Sequence, residues 1–238
     1  MNFGVIVFPG SNCDHDCYYS IKKVFGQNCD FVWHEETNLD GLDCLIIPGG
    51  FSYGDYLRSG AIACLSPVME SVKDFASLGK PVLGICNGFQ ILIESGMLPG
   101  SLIKNSSLKF VCKWVNLIVE NSNTPFTYLC KKGDILRIPI AHGEGNYYTD
   151  HKTLENLYNN SNLVFRYTDK IGDCNSKANP NGSIDNIAGI CNNTENVLGM
   201  MPHPERCTED IMGGFEGKII FQSVIEWIHQ QKILINSA

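Results

Sequence analysis

Four short apolar runs in the first half of the chain, Phe3–Val7, Phe31–Trp33, Cys44–Ile47 and Val82–Ile85, set the narrowest limit on its fold. Each is too short for a buried helix, and Pro9-Gly10 and Pro48-Gly49-Gly50 stop the first and third. Helix-period segments lie between them. The stretch from Asp16 to Phe25 puts Tyr18, Ile21, Val24 and Phe25 on one side, and Ala61 to Leu78 is helical if a break or first turn falls at Pro67. Buried strands alternating with helices require a parallel sheet with right-handed crossovers.

The second half reads differently. Phe110–Val119, Asp134–Pro139 and Leu163–Tyr167 are strand-like, and Ile187–Ile190 and Val197–Met200 flank the turn-rich Asn192–Asn196 as a hairpin. Asn179–Ser183 is a turn, and an amphipathic helix runs from about Gly217 to Gln231. No linker or repeat interrupts the chain. The prediction is α/β: one domain over residues 1–238, with a mostly parallel central sheet flanked by helices and added antiparallel strands.

A chain of 238 residues buries a full core without staples. Its net charge of −7 opposes binding to nucleic acid or an anionic membrane, although a small anionic substrate stays possible. The eleven cysteines are scattered and include no Cys-x-x-Cys pair. Cys13, His15 and Cys17 lack a second ligand pair at zinc-site spacing, so no metal is expected. With no signal peptide and no membrane-length apolar run, the expected location is the reducing cytoplasm, with the cysteines as thiols.

In such a sheet ligands gather beyond the carboxyl ends of the strands, and four segments suit that position. Gly84-Ile85-Cys86-Asn87-Gly88 joins a strand to a helix with glycines two residues either side of a cysteine. A nucleophile elbow has that spacing, and the following helix N-terminus lowers a thiol pKa; an ordinary buried cysteine at a βα turn is the alternative. Pro48–Asp55 supplies glycines whose amides could approach a ligand, or is a plain turn. In Met201–Arg206, His203 could serve as base and acid for a thiol, with Glu205 fixing its tautomer from an extended chain two residues on. Ile140–Tyr147 carries His142 and Glu144 among glycines and is either substrate-lining or solvated. His15, His34, His151 and His229 have no such surroundings.

Taken together, Gly-Ile-Cys-Asn-Gly-Phe-Gln, Pro-Gly-Gly-Phe-Ser and Pro-His-Pro-Glu-Arg resemble class I (triad) glutamine amidotransferases, which have a flavodoxin-like fold. Phe8–Asp14, Tyr53–Arg58, Asn105–Phe110 and Ala141–Gly145 extend the likeness to the separate glutaminase subunits of phosphoribosylformylglycinamidine synthase. The resemblance implies Cys86 as the nucleophile attacking glutamine, His203 as acid and base, and Glu205 as its orienter. It implies an oxyanion hole of the Gly50 and Asn87 amides, and Gln90, His142 and Glu144 around the glutamine. It also implies partners: a large synthetase subunit, which uses ATP and magnesium, and a small bridging subunit, this chain carrying no cofactor. The product ammonia would feed purine synthesis. A cysteine hydrolase or peptidase of similar fold, or a non-catalytic binding subunit, is the competing reading.

Overall fold

The computed structural model describes residues 1–236. In chain order the strands are β1 (Asn2–Val7), β2 (Asn28–Trp33), β3 (Cys44–Ile47), β4 (Val82–Ile85), β5 (Ser101–Ile103), β6 (Val111–Val119), β7 (Ile135–His142), β8 (Asn146–Tyr148), β9 (Leu163–Thr168), β10 (Ile187–Cys191) and β11 (Val197–Met200). The helices are α1 (Asp14–Tyr19), α2 (Val68–Ser77), α3 (Asn87–Glu94), α4 (His151–Asn159) and α5 (Lys218–Asn236). No described helix is long and apolar enough to cross a membrane.

Nine strands form one sheet in the order β2-β1-β3-β4-β11-β10-β9-β6-β7. The pairs from β2 through β11 are parallel, and those from β11 through β7 are antiparallel. Every residue of β3, β4 and β11 is buried, which is why these strands read as continuous runs with no polar side chain: helices cover both faces. The outer strand β7 instead alternates buried with more exposed positions, as a strand with one solvated face does. The parallel half has the expected flavodoxin-like order, with β11 the late arrival. Val197 to Met200 pair in register with Val82 to Ile85, so the loops after β1, β3, β4 and β11 leave the sheet at one edge.

The predicted break at Pro67 is present. A short 3₁₀ turn (Ala63–Leu65) precedes it, Ser66 is extended as a residue before proline prefers, and α2 starts only after Pro67. The predicted helix from Asp16 to Phe25 is α1 followed by a π-helical turn at Ser20–Val24. That turn keeps Ser20 buried, where its hydroxyl donates to the Glu205 carbonyl at 3.2 Å. Helix α4 and the two-stranded β5–β8 pair carried no clear sequence signal. Only Leu157 of α4 is buried, so its apolar period is weak, and Asp150 caps it by accepting from the Thr153 amide at 3.0 Å.

Candidate active site

The turn from β4 into α3 holds Cys86 at φ +50°, ψ −102°, a backbone state that costs about 1–3 kcal/mol for a residue with a side chain. Its amide is fixed to the Met200 carbonyl at 2.8 Å. The flanking glycines are sterically required. A Cβ at Gly84 would stand 2.4 Å from Leu92 Cδ1 and 2.8 Å from the Gly88 carbonyl oxygen, and one at Gly88 would stand 1.9 Å from the Ile47 carbonyl oxygen. The thiol lies 3.8 Å from the Ala141 carbonyl oxygen and faces a cavity of about 200 Å³.

His203 lines the same cavity. Its amide donates to the Pro139 carbonyl at 2.8 Å, which ties the loop after β11 to β7. Its Nδ1 lies 2.7 Å from Glu205 Oε1, and both residues are buried, at 2% and 0% exposure. The sequence suggested an extended chain between them. Pro204 instead starts a 3₁₀ turn, Pro204–Arg206, and that turn folds the carboxylate back onto the imidazole. Burial alone would lower the His203 pKa, but the charges of Glu205 and Cys86 outweigh it and hold the pKa well above 6.5. The site therefore favours imidazolium over neutral histidine, in a ring that lines the cavity together with Cys86.

This proton has a measurable effect on stability. A histidine whose pKa is raised by folding adds stability that is complete below the unfolded value and lost as pH rises through the folded one. Glu205→Gln removes the main cause. The Tm gap between wild type and this variant is therefore expected to be widest below the ordinary histidine pKa of about 6.5 and to narrow as pH rises through the raised folded-state value. A gap independent of pH would show that Glu205 does not hold a proton on His203.

Hydrogen bonds link the remaining predicted residues. Asn87 opens α3, where first-turn amides have no helical acceptor. Its side chain accepts from the Ser52 amide at 3.1 Å and donates to Gln90 Oε1 at 2.9 Å, locking the loop after β3 to the helix. Gly50 lines the cavity at φ +141°, where a Cβ would stand 2.6 Å from the Asn12 nitrogen. Gln90 Nε2 donates to the Glu144 carbonyl at 2.7 Å. His142 also lines the cavity, but its ring nitrogens face Asn105 Oδ1 at 3.1 Å and Asn181 Nδ2 at 3.5 Å. Burial and the nearby His203 charge lower its pKa to about 4, so it is neutral and braces its loop.

Sequence reasoning passed over part of the lining. Asn12 and Cys13 enter from the loop after β1, Asp55 and Ser59 from the loop after β3, and Arg206 from beyond Glu205. The position of Phe8–Asp14 at the carboxyl end of a parallel strand was the available signal. Cys13 Sγ lies 4.0 Å from His203 Nδ1 and 3.0 Å from Arg206 Nη2. Cys13, His203 and Glu205 place possible ligand atoms within 4.8 Å of one another. Nδ1 already serves Glu205 and the sulfur already faces a guanidinium, so the arrangement is that of a hydrogen-bonded dyad with a thiol beside it.

Residues 1–228 match the CobB/CobQ-like glutamine amidotransferase domain. The chain is 58% identical over 227 residues to phosphoribosylformylglycinamidine synthase subunit PurQ of Moorella thermoacetica, covering 95% of this chain and 96% of that one. It is 55% identical over 225 residues to the same subunit of Koribacter versatilis, covering 94% and 97%. A chain in the structure of PurLQS from Thermotoga maritima aligns with a TM-score of 0.84 at 45% identity, covering 95% and 98%. Another glutamine amidotransferase of Thermotoga maritima, at 16% identity and a TM-score of 0.53 over 98% of this chain and 86% of that one, shares the fold. An elbow cysteine, a buried His–Glu pair beside it and relatives matched over nearly their whole length agree: the chain belongs to the glutamine amidotransferases and, among them, to the PurQ subunits of phosphoribosylformylglycinamidine synthase.

Proposed function

We propose that this chain hydrolyses glutamine through Cys86 and passes the ammonia to a synthetase partner. The observation that carries the reading is one cavity shared by a strained elbow thiol and a His203 ring whose far nitrogen is held by a buried carboxylate. The Cys86 sulfur attacks the side-chain amide carbon as a thiolate. The amides of Gly50 and Asn87 receive the negative charge that develops on oxygen. The tetrahedral intermediate collapses with loss of the nitrogen, to which His203 Nε2 gives its proton, leaving a γ-glutamyl thioester and ammonia. His203, now neutral, takes a proton from water. The hydroxide attacks the thioester, and the thiolate leaves to regenerate Cys86 and release glutamate. Glu205 keeps Nε2 in place throughout and stabilises the imidazolium. Gln90 and the His142–Glu144 loop surround the substrate.

Ammonia released into water would be protonated and lost, so a docked acceptor enzyme is the chemical complement of this site. The acceptor is the large synthetase subunit, which uses ATP and magnesium to convert formylglycinamide ribonucleotide to formylglycinamidine ribonucleotide, with a small subunit bridging the two. This chain supplies no cofactor of its own. Phe51 and Phe110 line the cavity yet stay 48% and 55% exposed, and Tyr56, Leu57 and Leu108 nearby in the chain are more exposed still, which suits a surface that a partner covers. Eleven free cysteines suit the cytoplasm.

The isolated chain is expected to release glutamate from glutamine slowly. Addition of the synthetase and bridging subunits with ATP and the ribonucleotide should raise the rate by about 10-fold or more, a coupling of ordinary size. Equal turnover with and without them would remove the coupling from this reading.

A further inference from the structure

We propose that Ser20 is a positioning residue for the His203–Glu205 pair: it grips Glu205 by the backbone carbonyl and so leaves the charge of the carboxylate to His203 alone. The consequence for turnover rests on the glutaminase reading, whereas the grip itself does not.

The carboxylate is tethered at one point. Glu205 is fully buried, its Oε1 lies 2.7 Å from His203 Nδ1, and its Oε2 meets no donor among the described residues. Titratable groups face the pair from several elements: Cys13 and Cys17 from α1 and its N-terminal cap, Cys86 from the elbow, His142 from β7, and Arg206 and Cys207 from the turn itself. None of them donates to Oε2. A donor there would stabilise the carboxylate anion and weaken its pull on the imidazole proton. Without one, the place of the side chain is set by the backbone that carries it.

That backbone is held from α1. Cys13, Asp16 and Ser20 follow one another at intervals of three and four residues and so share one helical face. All three meet the segment after β11. Arg206 Nη2 donates to Cys13 Sγ at 3.0 Å, Arg206 Nε lies 3.4 Å from Asp16 Oδ2, and Ser20 Oγ donates to the Glu205 carbonyl at 3.2 Å. The Glu205 carbonyl takes no other hydrogen bond among the described residues. Ser20 is itself fixed on both sides. Its amide donates into α1, to the Asp16 and Cys17 carbonyls, and its own carbonyl accepts from the Phe25 amide at 3.1 Å, the five-residue step of the π turn. The residue is wholly buried, and its hydroxyl lies 3.5 Å from Thr208 Oγ1. One hydroxyl thus places the residue that keeps His203 protonated, and it does so without touching the carboxylate.

The test is a histidine NMR titration of the full chain as wild type, Ser20→Ala, Ser20→Cys and Ser20→Thr, with the His203 signal assigned by its loss in His203→Gln. Wild-type His203 is expected to stay protonated well above pH 6.5. In Ser20→Ala its titration should move down by about one pH unit or more, a loss of about 10-fold or more in proton affinity. Ser20→Cys fills the same space with a weak donor and should follow alanine, which supplies the reading if the alanine variant does not fold. Ser20→Thr keeps the hydroxyl and should titrate like wild type. In glutamate release, the alkaline limb of kcat/KM should move to lower pH by the same amount, because the proton needed by the leaving nitrogen is lost earlier. A purely structural role would lower Tm but leave the His203 titration and that limb at their wild-type positions, and this result overturns the proposal. A wild type with the raised His203 titration that releases no glutamate overturns the glutaminase reading instead, and the titrations still decide the grip of Ser20.

Discussion

Cys86→Ala is expected to lower glutamate release from glutamine by about 10⁴-fold or more, because no step of the thioester route survives loss of the nucleophile. A second thiol in the cavity makes this a sharp test. Cys13 also lines the pocket, and its sulfur is 4.0 Å from the His203 ring. That contact is to Nδ1, the nitrogen held by Glu205, whereas the reaction needs the proton on Nε2. Burial raises the Cys13 pKa despite its His203 and Arg206 neighbours, and its backbone is not at an elbow. Cys13 is therefore not expected to replace Cys86. The alanine variant should still fold and bind its partners, so the assembled complex given ammonium salts should form product at near the wild-type rate. Glutamine turnover within about 10-fold of wild type would exclude Cys86 as nucleophile.

Gly88→Ala is expected to be nearly as damaging to activity and, unlike the cysteine variant, to lower stability as well. The new Cβ would lie 1.9 Å from the Ile47 carbonyl oxygen and 2.7 Å from its carbon. Both are backbone atoms at the end of β3, so no side chain can swing aside; α3 has to move away from the sheet. Overpacking of this kind costs about 1–3 kcal/mol and sometimes more. For a chain of this size that corresponds to a Tm lower by about 2–12 °C. The same movement shifts Asn87, whose side chain holds the Ser52 amide, and would separate the two amides assigned to the oxyanion. Loss of one such donor costs about 10²-fold or more in kcat. Thermal melting and glutamate release measured on one preparation would check both effects, and wild-type values for both would show that the elbow has more room than this packing allows.

These two residues also show what a reader of the sequence can and cannot see. The elbow was legible because its constraint is local: Cys86 needs glycines at fixed offsets, and the offsets are visible. His203 and Glu205 were legible as residue types beyond a buried strand, but the 3₁₀ turn that joins them was not, since Pro204 permits either an extended or a turning chain. The parallel half of the sheet could be inferred because β3 and β4 are apolar at every position. Helix α4 escaped notice because only Leu157 packs inward. The surroundings of Glu144 were the hardest to foresee, because Ser59 and Gln90, which hold its side chain and its carbonyl, come from two other segments of the chain. His142 carried the reverse difficulty: the sequence shows an ionisable side chain, and only Asn105 and Asn181 reveal that it is spent on bracing.

The position of β11 bears on how the molecule is made. It lies between β4 and β10 in the sheet although it is the last strand in the chain. While the ribosome is still short of residue 197, β4 has β3 on one side and an unpaired row of amides and carbonyls on the other, a template for association with other chains. The same late strand fixes the Cys86 amide through Met200 and leads into His203 and Glu205. On the mechanism proposed above, vectorial synthesis withholds His203 from the Cys86 thiol until β11 joins the sheet, so the proposed thioester chemistry begins only in the completed chain.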